Sequence, residues 1–321
     1  MTAHPGATEG RQLGALVKVL AAAAALGTLG PVAALAYGEG VEPATFSALR
    51  AAIGAAILGT LVLAHRQPSV RLSSLAPRER TLLALAVVVN GVMNLVLFFA
   101  FGAMAVALVM IIFYTYPVLV AAGSVAIGRE RLTPTRVVAL ACSGLGLVLV
   151  LGSQLGPDAH ATGAGLILAG IAAVCHAAYL IVIRDGFSRV PSVQATSLVL
   201  AGGFVISGTA AVLMGGSGVL GAWLGSPTAW AAIVLAGTFG AALPKVWVMS
   251  GVRAIGSTRA AVLMLTEPVV AVVVAAAVLG QTLSFLELLG GAAILAAVLI
   301  VQRPDPAADR TSLAPTAGPA A

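Results

Sequence analysis

The chain has 321 residues, 60% of them hydrophobic and only 9% charged, with 17 Lys plus Arg against 11 Asp plus Glu. Soluble globular proteins carry about a quarter charged residues, so a single water-facing core is excluded. The basic excess forms no stripe interleaved with aromatics, which argues against a nucleic-acid partner.

Apolar runs long enough to cross a hydrocarbon core of ~30 Å recur from one end to the other. The first ten residues are polar. The run over 13–36 is longer than the apolar stretch of a signal peptide and lacks a clear cleavage site, so it reads as a retained first span. Further spans are predicted over 43–64, 81–101, 103–126 and 134–153, then over 161–183, 194–214, 228–250, 257–279 and 284–301. This is an all-α membrane protein of ten transmembrane helices. Residues 1–12 form an N-terminal segment, 13–153 a first five-helix unit and 161–302 a second. The Pro- and Ala-rich stretch 303–321 is expected to be disordered. Cys142 and Cys175 lie inside apolar runs and read as small core residues.

Short cytoplasmic loops hold Lys and Arg in excess. With the N-terminus inside, the cytoplasmic side receives Arg66, Arg71, Arg78 and Arg80, then Arg129, Arg131 and Arg136, then Arg184 and Arg189, then Arg253 and Arg259. The opposite loops carry Glu39, Glu42 and Asp158. The expected setting is a multi-pass protein of the inner (plasma) membrane with both termini cytoplasmic.

One gapless shift relates the two halves. It carries Thr115 and Pro117 of YTYPVLVA onto Thr266 and Pro268 of LTEPVVAV, and Ala44-Thr45 onto Ala195-Thr196. Because each half has five helices, the second copy must enter the membrane upside down, giving an inverted-topology repeat. The substrate site of such a carrier is expected near the midplane, where the halves face each other.

The stretch YTYPVLVAAGSVAIGRERLTPTR and the stretch LTEPVVAVVVAAAVLGQTLSFLELLGGAAILAAVLI resemble the two repeats of the EamA family of the drug/metabolite transporter superfamily. Their most specific pieces are a Pro in the fourth and ninth spans and, about a dozen residues on, a Gly-Glu-x-Leu-Thr-like turn. The sequence departs from that pattern where Arg129 separates Gly128 from Glu130, and where Gln281 replaces the usual Glu of the second repeat. The resemblance implies a secondary transporter, commonly an exporter of amino acids or other small metabolites.

Ionisable groups inside a bilayer are costly and point to function. Lys245 lies two helical turns before Arg253, and Glu267 two turns after Arg259, so each sits about 12 Å of helix rise from the cytoplasmic side. The pair is positioned to offer an ammonium to a substrate carboxylate and a carboxylate to a substrate amine or a coupling proton. A permanent salt bridge between two helices is the bland alternative. The repeat places Lys245 on Asn94 and Glu267 on Tyr116, which suggests one cavity lined by equivalent faces. Asn90, one turn from Asn94, joins that lining or serves as glue between spans. Tyr114, close to Tyr116 in sequence, is placed on a different face. His176 and Tyr179 occupy the middle of the sixth span, where a proton relay or a satisfied core histidine are both open. Arg50 reads as snorkelling to the outer interface, with attraction of anionic substrates as the other option. Glu287 is expected to reach water at the outer face. Pro117, Pro244 and Pro268 are predicted to kink their helices as gating elements.

The reading is an alternating-access exporter of a small metabolite such as an amino acid, by proton coupling or exchange. An exporter of drugs or amines is the alternative, ahead of a channel or an intramembrane enzyme. No cofactor or metal is expected. The partners are a small-molecule substrate and the lipid bilayer, with a homodimer left open.

Overall fold

The computed structural model describes residues 5–104, 106–130, 133–153, 155, 161–215, 221–279 and 284–302. The expected disordered stretch 303–321 and Gln281 lie outside the described residues. The helices are α1 (Pro5–Gly27), α2 (Leu29–Gly38), α3 (Pro43–Leu63), α4 (Pro77–Ala103), α5 (Val106–Phe113), α6 (Tyr116–Ala126) and α7 (Pro134–Gly152) in the first half. The second half supplies α8 (Gly163–Asp185), α9 (Ser192–Gly215), α10 (Pro227–Gly237), α11 (Leu243–Ile255), α12 (Ser257–Met264), α13 (Thr266–Leu279) and α14 (Phe285–Gln302). Among the described residues there is no strand, and 10 helical stretches are long and apolar enough to cross a bilayer. Helix is the expected solution in lipid, because it satisfies every backbone group within the segment.

Helix starts follow local chemistry. Pro43, Pro77, Pro134 and Pro227 open their helices, where a missing N–H costs nothing. Glu287, expected to reach water, closes an exposed reciprocal cap at the start of α14. Its Oε2 accepts from the Ser284 N–H at 2.8 Å, and its own N–H donates to Ser284 Oγ at 3.2 Å.

Four spans are interrupted, a feature that hydropathy does not reveal. The first breaks at Thr28 between α1 and α2, the fourth between α5 and α6, and the ninth at Leu265 between α12 and α13. The eighth passes from α10 through a π-helical turn, Thr238–Ala242, into α11. Pro117 and Pro268 thus stand at breaks, whereas Pro244 lies in a helical stretch that runs on from α10 through the π turn into α11. Pro117 and Pro268 each occupy the first turn of a restarted helix, α6 and α13 respectively. Three of the breaks share one device: a threonine hydroxyl turns back onto the carbonyl three residues earlier. Thr28 Oγ1 donates to Ala25 O at 2.7 Å, Thr115 to Ile112 O at 2.7 Å and Thr266 to Leu263 O at 2.8 Å. A broken helix inside a bilayer must satisfy its freed carbonyls locally, and these hydroxyls do so.

The packing obeys the inverted repeat. Helix α3 packs on its own repeat mate α9, and α7 on its mate α14. Helix α4 packs on α8 and α9, while the eighth span packs on α1 and α3, which is the same relation with the halves exchanged. The contact of α6 with α8 is likewise mirrored by that of α13 with α1. The chain is thus two five-helix repeats of inverted topology facing one another across the centre.

The arginine-bearing loops gather at one end. Glu130 accepts from Arg184 Nη1 at 2.6 Å and Arg136 Nη1 at 3.1 Å. Arg129 pairs with Asp185 at 3.7 Å, and Arg189 with Glu79 at 3.6 Å. Arg253 donates to the carbonyls of Ile183, Phe187 and Val190, and Arg259 to those of Val301 and Gln302.

Candidate functional site

The interrupted spans and α4 bring polar side chains to the centre of an otherwise apolar bundle. Lys245 enters one residue after Pro244, just past the π turn, and its Nζ donates to Asn90 Oδ1 on α4 at 3.1 Å. One turn along α4, Asn94 Nδ2 donates to the Asn90 carbonyl at 2.7 Å, and Asn94 Oδ1 accepts from Arg50 Nη2 on α3 at 3.3 Å. A polar chain therefore runs Arg50, Asn94, Asn90, Lys245 across three helices. It borders a slot of about 10 Å³ lined by Ser47, Arg50, Asn90, Asn94, Ser207 and Lys245.

Arg50 differs from its sequence reading. It is only 8% exposed, so it does not snorkel to an interface. Its placement follows from α3 packing against α9 on one side and the eighth span on the other, which leaves this position facing inward.

Glu267 lies in the first turn of α13, beside the break of the ninth span. Its carboxyl is met by the Tyr114 hydroxyl, and it is within Coulomb range of both Arg50 and Lys245. It forms a direct ion pair with neither: the ion pairs among the described residues lie at the arginine-bearing end. The permanent Lys245–Glu267 salt bridge is thus not formed, and each group has its own hydrogen-bonding partner.

A row of aromatic rings runs from the Tyr114 that meets the acid to the Tyr179 beside the lysine. The rings of Tyr114 and Tyr116 are 6.1 Å apart, and Tyr116 meets His176 edge-on at 4.5 Å. His176 stacks on Tyr179 at 6.3 Å, and Lys245 Nζ lies 5.8 Å from the centre of the Tyr179 ring. Tyr116 also reaches across to the Ala261 carbonyl at 3.5 Å. His176 Nδ1 and the Tyr179 hydroxyl are buried and, among the described residues, have no hydrogen-bond partner.

Asn90, Asn94 and Lys245 thus share one cluster, while Tyr116, His176 and Tyr179 form the wall that links it to Glu267. The sequence singles out Tyr114 and Arg50 but puts Tyr114 on a different face from Tyr116 and gives Arg50 first to the outer interface. Tyr114 was set on another face by helical periodicity, but the break directly after it resets the phase. The signal for Arg50 was present: an arginine two turns inside a span is costly unless the interior receives it.

A family model described as the EamA-like transporter family matches residues 13–152 and 163–303. No curated protein matches the chain. A solved structure titled "Crystal structure of protein" superposes with a TM-score of 0.73 at 21% sequence identity, covering 90% of this chain and 97% of the other, a likeness of fold alone.

Proposed function

Because the chain belongs to the EamA-like transporter family, we propose that it is a secondary active carrier of the inner membrane that exports a small metabolite, such as an amino acid, by alternating access. Both termini lie in the cytoplasm in this reading, following the positive-inside rule. The observation that carries it is the convergence of Lys245, beside the π turn of its span, and Glu267, beside the break of its own, on the surface between the two halves. Interrupted helices at a repeat interface are where carriers of this kind hold their substrates. Lys245 receives the carboxylate of a zwitterion, while Glu267 takes its amine or a coupling proton. An amine exporter is the second reading, favoured by the aromatic wall beside Glu267.

Proteoliposomes loaded with labelled amino acids, with and without an imposed pH gradient, test the proposal. Gradient-dependent flux of an amino acid is expected, and Glu267→Gln is expected to abolish the gradient-driven component. Flux of a cationic compound that ignores both the gradient and the substitution would leave a carrier but reduce Glu267 to scaffolding.

A further inference from the structure

We infer that the slot between α3, α4 and α11 is a carboxylate-binding site in which Arg50 is the second cationic wall, facing the substrate together with Lys245. The inference rests on the carrier reading above and assigns the anionic end of its substrate to particular atoms.

The slot is unbalanced in a specific way. Each of its side-chain amide oxygens already accepts one bond: Asn94 Oδ1 from Arg50, and Asn90 Oδ1 from Lys245. What remains unpartnered is donor only, namely Arg50 Nε and Asn90 Nδ2, both buried. Arg50 is 8% exposed and Asn90 1%, so bulk water does not satisfy them. Buried donors of this kind are normally paired, and each one left open costs free energy until an acceptor arrives. The hydroxyls of Ser47 and Ser207 line the same slot and are able to donate into it.

Charge points the same way. Arg50 and Lys245 lie within Coulomb range of each other, and like charges repel strongly where water is scarce. Glu267 is within range of both but is engaged by Tyr114 and closes onto neither. Two cations with one acid leave the cluster net positive. A carboxylate supplies the missing charge and two acceptor oxygens at once, and the fork of an arginine suits its planar geometry. An ammonium would bring a third cation beside Arg50 and Lys245, and would leave the buried Arg50 Nε and Asn90 Nδ2 donors without an acceptor. A water molecule accepts from the donors but carries no charge to offset the two cations. With a volume of about 10 Å³ the slot matches roughly one water, so the carboxylate enters as the helices part, with the rest of the substrate along the Tyr179 and His176 wall.

The test uses the purified full-length protein in detergent, in a low-salt buffer whose only anion is a bulky sulfonate. Sodium formate, the smallest carboxylate, is titrated while the unfolding temperature is followed. A saturable rise is expected for the wild type. In Arg50→Gln the midpoint concentration is expected to increase by about tenfold or more, with Arg50→Lys, which keeps the charge but loses the fork, in between. No rise in the wild type, or the same midpoint in wild type and Arg50→Gln, overturns the assignment; if Arg50→Gln does not fold, Arg50→Lys decides by the same criterion. Flux separates this from the carrier reading. Formate stabilisation lost in Arg50→Gln without flux of any labelled carboxylate keeps the site and sinks the carrier. Carboxylate flux with an unchanged KM in Arg50→Gln keeps the carrier and sinks the site.

Discussion

Glu130 shows how much one side chain holds at the arginine-bearing end. Its two oxygens serve Arg184 at 2.6 Å and Arg136 at 3.1 Å, and the Ser257 hydroxyl approaches at 3.5 Å from the start of α12. One carboxylate thereby ties the fourth, fifth, sixth and ninth spans. Its side chain is 7% exposed, so neutralising it leaves two guanidinium groups short of an anion where water replaces it poorly. Glu130→Gln is expected to cost about 1–3 kcal/mol, read as a lower unfolding temperature in detergent. Glu39→Gln, at an exposed position on the opposite end, is expected to change stability by less than about 0.5 kcal/mol. Equal effects would show that the Glu130 cluster is a surface ornament. At this scale the sequence was legible in part. The spacing of Asn90 and Asn94 announced one shared face, and they do act as neighbours. That Lys245 meets Asn90 while Asn94 meets Arg50 was not legible, because the repeat predicts equivalence of positions and not which equivalent atoms touch.

Among the elements, the broken spans and the close packing of α7 on α14 carry the consequences. Pro117 and Pro268 occupy the first turns of α6 and α13, where a restored N–H gains no helical partner within its own segment. Alanine at both positions is therefore expected to alter stability by less than about 1 kcal/mol. It also allows α5 to fuse with α6 and α12 with α13, and transport is expected to fall several-fold. Full flux in the double variant with an unchanged unfolding temperature would remove the breaks from the mechanism. Helices α7 and α14 approach so closely that a Cβ on Gly290 would sit 2.5 Å from the Gly146 carbonyl. Gly290→Leu is expected to destabilise by about 1–3 kcal/mol or more through overpacking. Gly144→Ala, on the same helix α7 with open space around it, is expected to be neutral or mildly stabilising. Thermal unfolding of the two variants side by side checks this, and similar losses in both would show the α7–α14 contact to be loose. Small residues let helices in lipid approach closely. Which glycine is pressed against which helix was not legible in the sequence, since Gly146 and Gly144 read alike.

For the whole molecule, the inverted repeat makes one prediction about sides. With Cys142 and Cys175 replaced by alanine, a cysteine at Glu39 is expected to react with an impermeant maleimide on intact cells, and a cysteine at Arg189 only after permeabilisation. Reaction of both from the same side would overturn the threading. The sequence by itself determined the number of spans, their order and the duplication in opposite sense, because these depend on one-dimensional quantities: the length of an apolar run against the thickness of a bilayer, and the placement of Arg between runs. Only the tertiary structure decided that Arg50 points inward, that Tyr114 shares a wall with Tyr116, and that Glu267 and Lys245 stay near each other without pairing. The physical reason is rotational. In water an apolar stripe tells each helix which way to face, but in lipid the outward face is as apolar as the inward one, so the sequence carries little information about the phase of each helix. That phase is set by packing against the opposite half and by the breaks that reset it, and it is there that the charged cluster takes its form.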